Sequence, residues 1–100
     1  MIRVVLVEFG EPCVELARLL RDAGVEVVYT GELTTVDQIV RTAEQEDPDV
    51  LGVAVGAGRR LDGLAESIGA VRLFTIGSPE GAETRFETAE EAVKWVDSHR

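Results

Sequence analysis

The chain has 100 residues, 45% of them apolar, and this length provides one domain over residues 1–100 that buries roughly two thirds of its unfolded surface. Cys13 and His99 are the only cysteine and histidine, which excludes an internal disulfide, thiolate metal clusters, histidine-dependent triads and three-ligand zinc sites. A net charge of −9 argues against nucleic-acid binding, and short apolar runs predict a cytoplasmic protein with no membrane partner.

The first elements alternate between strand and helix. Ile2–Val7 is a continuous apolar run, typical of a strand covered on both faces. Pro12 suits the first turn of a helix, which Gly24 closes. Val25–Tyr29 predicts a second strand, and Thr30–Gly31 predicts a turn after it. The positions at helical spacing on this first helix are Cys13, Leu16, Ala17, Leu20 and Ala23.

The middle of the chain repeats this alternation. A second helix begins at Thr34 or Thr35 and ends at the prolyl segment Asp47–Asp49, because the residue before proline avoids helical geometry. Val50–Val55 predicts a third strand, and Gly56–Gly58 leads into a third helix. The residues predicted to face inward on that helix are Leu61, Leu64, Ala65 and Ile68.

The last part of the chain predicts two strands and a helix. Val71–Ile76 is a fourth strand, and Thr84–Glu87 holds a short fifth strand. Gly77–Glu83 lacks an apolar helical stripe, so the helix between strands 4 and 5 is predicted to be missing. Thr88 and Glu91 form a capping-box signature for the final helix. The pattern predicts an α/β fold with a three-layer doubly wound parallel sheet, flavodoxin-like, in strand order 2-1-3-4-5.

In such sheets ligands bind beyond the carboxyl ends of the strands, here between strands 1 and 3. A glycine-rich turn that opens a helix offers backbone amides to an anion, and Gly56 and Gly58 form such a turn here. Arg59 and Arg60, directly after it, supply guanidinium groups that also bind anions. These four residues, with Gly77 from the loop after the fourth strand, are the candidate crevice or anion-binding residues. The alternative is a tight turn whose arginines balance an acidic surface.

Two carboxylates after the first strand, Glu8 and Glu11, have the residue type that binds a divalent cation, as in phosphoacceptor receiver domains. A receiver also needs an aspartate ending the third strand and a lysine after the fifth, and this chain has Gly56 and no nearby lysine. We therefore predict no metal site and no catalytic residue, with Glu8 and Glu11 in a solvated loop.

Several segments together resemble the cobalamin-binding domain of methylmalonyl-CoA mutase and related mutases. The most specific is Leu16–Gly31, where an Arg-Asp-Ala-Gly helix end is followed by a strand ending in Tyr-Thr-Gly. Gln38–Val40, Asp47–Val53 and Thr88–Val93 extend the likeness over most of the chain. The resemblance implies the same fold as the periodicity.

The cofactor motifs of that family are altered here. Its Asp-x-His-x-x-Gly loop, which carries the cobalt-ligating histidine, corresponds to Glu8–Pro12 and contains no histidine. Its Ser-x-Leu segment, which lines the nucleotide tail pocket, corresponds to Ala54 and Gly56. Its paired glycines after the fourth strand are represented only by Gly77. The resemblance therefore implies a degenerate member of the family.

From these losses we expect a non-catalytic, cofactor-free interaction or accessory module. The missing helix leaves apolar residues of Val71–Ile76 and Thr84–Phe86 uncovered, which predicts a homodimer or docking on a larger subunit, unless the final helix with Trp95 covers them. The first alternative is a cobalamin-binding small subunit of an adenosylcobalamin-dependent mutase that uses no histidine ligand. The second is a small enzyme or anion-binding protein that reuses the crevice for an anionic small molecule.

Overall fold

The computed structural model describes residues 1–77 and 84–99, and within them five parallel strands form one sheet in the predicted order β2-β1-β3-β4-β5. The strands are β1 (Arg3–Phe9), β2 (Glu26–Glu32), β3 (Val50–Val55), β4 (Arg72–Gly77) and β5 (Arg85–Phe86). The helices are α1 (Val14–Asp22), α2 (Val36–Glu46), α3 (Leu64–Ser67) and α4 (Ala89–Asp97). This is a flavodoxin-like α/β fold. None of these described helices has the length and apolar content that crossing a bilayer requires.

Helices cover both faces of the sheet, so its central strands are apolar on both sides. Every residue of β3 is buried, as are Val4–Val7 of β1. Residues of α1 and α4 pack on the face that contains Leu6, and residues of α2 and α3 pack on the face that contains Val5. The continuous apolar runs in the sequence follow from this double coverage.

Both capping interactions that the sequence indicates are present. The Thr35 side chain accepts a hydrogen bond from the Gln38 amide at 3.1 Å, and the Gln38 side chain accepts from the Thr35 amide in return. Thr88 and Glu91 form the same reciprocal pair at the start of α4. These bonds satisfy amides that a helix start leaves without a partner, so they define where α2 and α4 begin.

Two predicted boundaries are wrong. Thr30–Gly31, predicted as a turn, lies inside β2, because the pairing with β1 shifts register there and Gly31, at φ 76°, adopts the left-handed conformation of a bulge. The predicted third helix is reduced to the single turn of α3, and Ala65 on it is exposed. Gly63, at φ 78°, precedes α3 and prevents it from starting earlier.

The far end of the sheet is covered within the chain by an aromatic cluster. Phe74 is fully buried, and its ring centroid lies 5.7 Å from that of Trp95 and 5.9 Å from that of Phe86. Gly52 makes room for Phe74, since a Cβ at Gly52 would lie 2.4 Å from the Phe74 ring. Hence α4 covers this face of β4, as the alternative anticipated. The helix predicted to be missing between β4 and β5 concerns residues 78–83, which lie outside the described residues.

Candidate functional site at the carboxyl edge of the sheet

Glu8, near the end of β1, is the central polar residue of this edge. Its carboxylate is half-buried and accepts hydrogen bonds from the Cys13 amide, at 2.9 Å, and from the Tyr29 hydroxyl. Because Cys13 is the N-cap of α1, the negative charge lies at the positive end of that helix. Glu8 therefore stabilises the start of α1, and it is not the solvated loop residue that the sequence predicted.

The two ionisable side chains beside Glu8, the Cys13 thiol and the Tyr29 phenol, are both held in their protonated forms. The hydrogen bond to the Glu8 carboxylate, with burial, raises the pKa of Tyr29 to about 12. Burial, with the Glu8 charge, raises the pKa of Cys13 to about 12. Cys13 is thus a buried neutral thiol at physiological pH, consistent with a core residue rather than a nucleophile.

The loop after β1 crosses the end of β3. We call residues 9–13 the strap. Gly10 forms an antiparallel bridge with Val55, and the Gly56 amide donates to the Phe9 carbonyl oxygen at 2.9 Å. The Gly10 amide donates to the Glu32 carboxylate, at 3.1 Å to Oε2. The strap therefore covers the point between β1 and β3 where such sheets bind ligands.

Gly56 and Arg59, two predicted site residues, pack on this strap. A Cβ at Gly56 would lie 2.3 Å from the Gly10 carbonyl oxygen, so the strap approaches β3 only because position 56 is glycine. The Arg59 guanidinium lies 4.9 Å from the centroid of the Phe9 ring, and its Nη2 lies 3.9 Å from Glu32 Oε2. Arg59 thus interacts with an aromatic face and a carboxylate of its own chain.

The other predicted residues lie apart from this contact. Arg60 Nε pairs with Asp62 Oδ2 at 3.0 Å. A Cβ at Gly58 would meet nothing within 4 Å. Gly77 ends β4, and a Cβ there would lie 2.4 Å from the Val55 carbonyl oxygen. The expectation that this glycine-rich turn opens a helix is wrong, because α3 begins only at Leu64. Anion binding by these residues stays a prediction.

The chain's one histidine lies at the other edge of the sheet. A cavity of about 700 Å³ there is bordered by Val50 and Arg72, at the amino ends of β3 and β4, and by His99. The His99 Nδ1 atom lies 2.7 Å from the Trp95 carbonyl oxygen. His99 is therefore placed away from the carboxyl edge, where the family resemblance puts cobalt.

The described residues do not fit a cobalamin that is held through a protein histidine. The strap carries none, and His99 lies at the opposite edge. Ala54, which corresponds to the tail-pocket segment of the resembled family, is fully buried in the same core as Phe74. Within residues 1–77 and 84–99, no group of three or more His, Cys, Asp or Glu residues is arranged to hold a metal ion.

Sequence reasoning missed the contacts of the strap. Glu8 and Glu32 are partners in the register of β1 and β2, and each holds one end of the strap. The available signal was a carboxylate closing the first strand five residues before a helix N-cap. That carboxylate does not indicate that Tyr29 donates to Glu8 or that Glu32 accepts from Gly10, because both contacts depend on the register between β1 and β2.

Comparison with known proteins finds similarity to CoA mutase small subunits but does not assign the chain to a family. No protein-family model matches the chain. Over 46 residues, 46% of this chain, it is 52% identical to the 2-hydroxyisobutanoyl-CoA mutase small subunit of Aquincola tertiaricarbonis. Over 39 residues, 39% of this chain, it is 46% identical to the pivalyl-CoA mutase small subunit of Xanthobacter autotrophicus. The matched parts span 34% and 26% of these relatives.

These relatives correct one prediction. Both are small subunits of CoA mutases, the class of enzyme for which the resemblance implies cobalamin. The expectation of a module that takes no cofactor is therefore wrong. The coarser part of the resemblance, similarity to a mutase subunit, is supported over the matched stretches.

Proposed function

We propose that this chain is a small-subunit-type module of a cobalamin-dependent CoA mutase, which binds cobalamin without giving cobalt a ligand and works with a larger catalytic subunit. The observation that carries the proposal is 52% identity over 46 residues to a CoA mutase small subunit. The flavodoxin-like sheet, which the mutase resemblance also implies, supports it. Because the matched relatives are much longer than the matched stretch, substrate and partner belong to the proposal.

The division of labour follows from the side chains at the carboxyl edge. Cobalamin, when bound, supplies radical chemistry that amino-acid side chains do not. This chain contributes a sheet edge whose Cys13 thiol and Tyr29 phenol are both protonated at neutral pH, since their pKa values are raised to about 12. Neither group is a general base at that pH. Substrate binding and proton transfer are assigned to the larger subunit as part of this proposal.

The test uses hydroxocobalamin and two forms of the protein, wild type and His99→Ala. Equilibrium dialysis should give saturable binding, with the same dissociation constant for both forms, because His99 lies at the amino edge. Loss of binding in His99→Ala would show that the histidine is a ligand and overturn the ligand-free mode. Absence of saturable binding at cofactor concentrations up to about 1 mM, which half-fill even a site with a Kd of about 1 mM, would defeat the cofactor role.

The partner is tested separately by mixing the chain with the large subunit of 2-hydroxyisobutanoyl-CoA mutase. Size-exclusion chromatography with light scattering should report a complex.

The chain alone is proposed to self-associate, because Val71 and Leu73 stay only half-buried on the face where α3 has a single turn. Light scattering of the chain alone should then report about twice its mass, and a monomer at every concentration would remove self-association from the proposal.

A further inference from the structure

The strap is held at both ends by carboxylates from neighbouring strands. Glu8 on β1 accepts the Cys13 amide at 2.9 Å, and Glu32 on β2 accepts the Gly10 amide at 3.1 Å. The two glutamates are register partners in the sheet. One short loop is therefore fixed by two charge-assisted hydrogen bonds, which are stronger than bonds between neutral groups.

Each of these adjacent carboxylates has a second partner that offsets the repulsion between them. The Tyr29 hydroxyl donates to Glu8, and Arg59 Nη2 lies 3.9 Å from Glu32 Oε2. Arg59 also lies over the Phe9 ring, with its Cζ atom 4.9 Å from the ring centroid. The two carboxylates, their partners and the strap therefore form one connected polar cluster on the outside of the sheet edge.

The closed strap fills the space where a ligand would enter. The Gly10 bridge to Val55 and the Gly56-to-Phe9 hydrogen bond seat it directly on the end of β3. This is the reversal point of the strand order, the place where doubly wound sheets bind ligands. On the proposed function, cobalamin would use the part of the edge that the closed strap covers.

We infer that the strap is a gate that opens as a single unit when either carboxylate contact is released, and that its opening admits cobalamin. The second part rests on the proposed function. The observed association constant for cobalamin is then the intrinsic constant multiplied by the fraction of molecules in which the strap is open. Glu8 and Glu32 are positioning residues in this gate, because they hold the loop and not the ligand.

Amide hydrogen exchange of Gly10 and Cys13, followed by NMR, tests the gate without any cofactor. Glu8→Gln keeps the shape but removes the charge, so the Cys13 amide should exchange about fivefold to tenfold faster. If the strap opens as one unit, the Gly10 amide accelerates as well, although its acceptor Glu32 is intact. Acceleration of Cys13 alone would overturn the single-unit gate.

Two further variants keep the result decisive. Glu11→Gln is the matched control, because Glu11 is an exposed carboxylate of the same strap with no hydrogen bond or ion pair to the described residues. It should leave both amides at their wild-type exchange rates. Glu32→Gln is the reciprocal variant and should accelerate Cys13 as well as Gly10. It replaces Glu8→Gln if that protein does not fold.

Equilibrium dialysis with hydroxocobalamin then tests what the gate admits. Glu8→Gln should bind several-fold more tightly than wild type, and Glu11→Gln should match wild type. Coupled amide exchange with unchanged cobalamin affinity would overturn the gating role. Failure of every variant to bind cobalamin would overturn the proposed function and the gating role together, whereas the exchange rates decide independently whether the strap moves as one unit.

Discussion

Replacing Gly56 by alanine should push the strap off the end of β3. The backbone at Gly56 accepts an L-residue, because its φ is not in the left-handed region. The obstacle is contact: the new Cβ would lie 2.3 Å from the Gly10 carbonyl oxygen and 2.6 Å from the carbonyl carbon. Both atoms belong to the backbone, so no side-chain rotation relieves the clash, and the strap must move by about 1 Å to reach ordinary van der Waals contact.

A shift of that size has a definable cost. It lengthens the 2.9 Å hydrogen bond from the Gly56 amide to the Phe9 carbonyl beyond useful range, and it weakens the bond between the Gly10 amide and Glu32. One lost neutral hydrogen bond and part of a charge-assisted one amount to about 2 kcal/mol. For a domain of this length we expect the Tm to fall by roughly 10 °C.

The assay is thermal and urea unfolding followed by Trp95 fluorescence, with Gly10 amide exchange as a local readout. Gly58→Ala is the control: its Cβ meets nothing within 4 Å, but its φ of 79° makes alanine strained. Gly58→Ala should lower stability by about 1–2 kcal/mol while leaving Gly10 exchange unchanged. A Gly56→Ala protein with wild-type Tm and wild-type Gly10 exchange would refute the packing of the strap on β3.

Three more predictions concern the core and the thiol. Phe74→Ala should lower the free energy of unfolding by about 3–5 kcal/mol, measured by urea unfolding with circular dichroism; a loss below about 1 kcal/mol would contradict its packing on Trp95 and Phe86. Thr75→Val should raise it by about 1 kcal/mol, because the fully buried Thr75 hydroxyl has no hydrogen-bond partner within residues 1–77 and 84–99; destabilisation would reveal a bond to that hydroxyl. The pKa of Cys13 is raised from its ordinary 9.0 to about 12 in the fold, so the stability that the neutral thiol contributes is fully present below pH 9 and declines between pH 9 and 12. The urea midpoint of Cys13→Ala should therefore fall less over this range than that of the wild type. An equal fall in both proteins would assign the decline to other groups.

Local sequence patterns were sufficient for most of the architecture. The apolar runs at Val4–Val7 and Val50–Val55 indicated central parallel strands, since a strand covered on both faces is apolar at successive positions. The Thr35 and Thr88 caps indicated helix starts because a cap needs only residues within one turn. Each of these signals depends either on an interaction between residues close in sequence or on burial, which the spacing of apolar residues along the chain reflects.

The same local signals failed where two elements compete for one segment. Thr30–Gly31 has the composition of a turn, and its glycine does adopt a positive φ, but pairing with β1 continues past it and converts the turn into a bulge. Apolar spacing around Leu61, Leu64 and Ile68 was interpreted as one helix. Those side chains are buried, but glycines at positions 58 and 63, both with positive φ, restrict the helix to one turn.

The sequence by itself determined the parallel sheet, its strand order and the likeness to mutase subunits, because these depend on the order and periodicity of elements. Only the tertiary structure decided the carboxyl edge: Glu8 reaches Tyr29, and Glu32 reaches Gly10, across 21 and 22 residues of chain. It also placed His99 at the opposite edge from the strap. Such contacts depend on strand register, and a shift of one residue turns a side chain to the other face of the sheet.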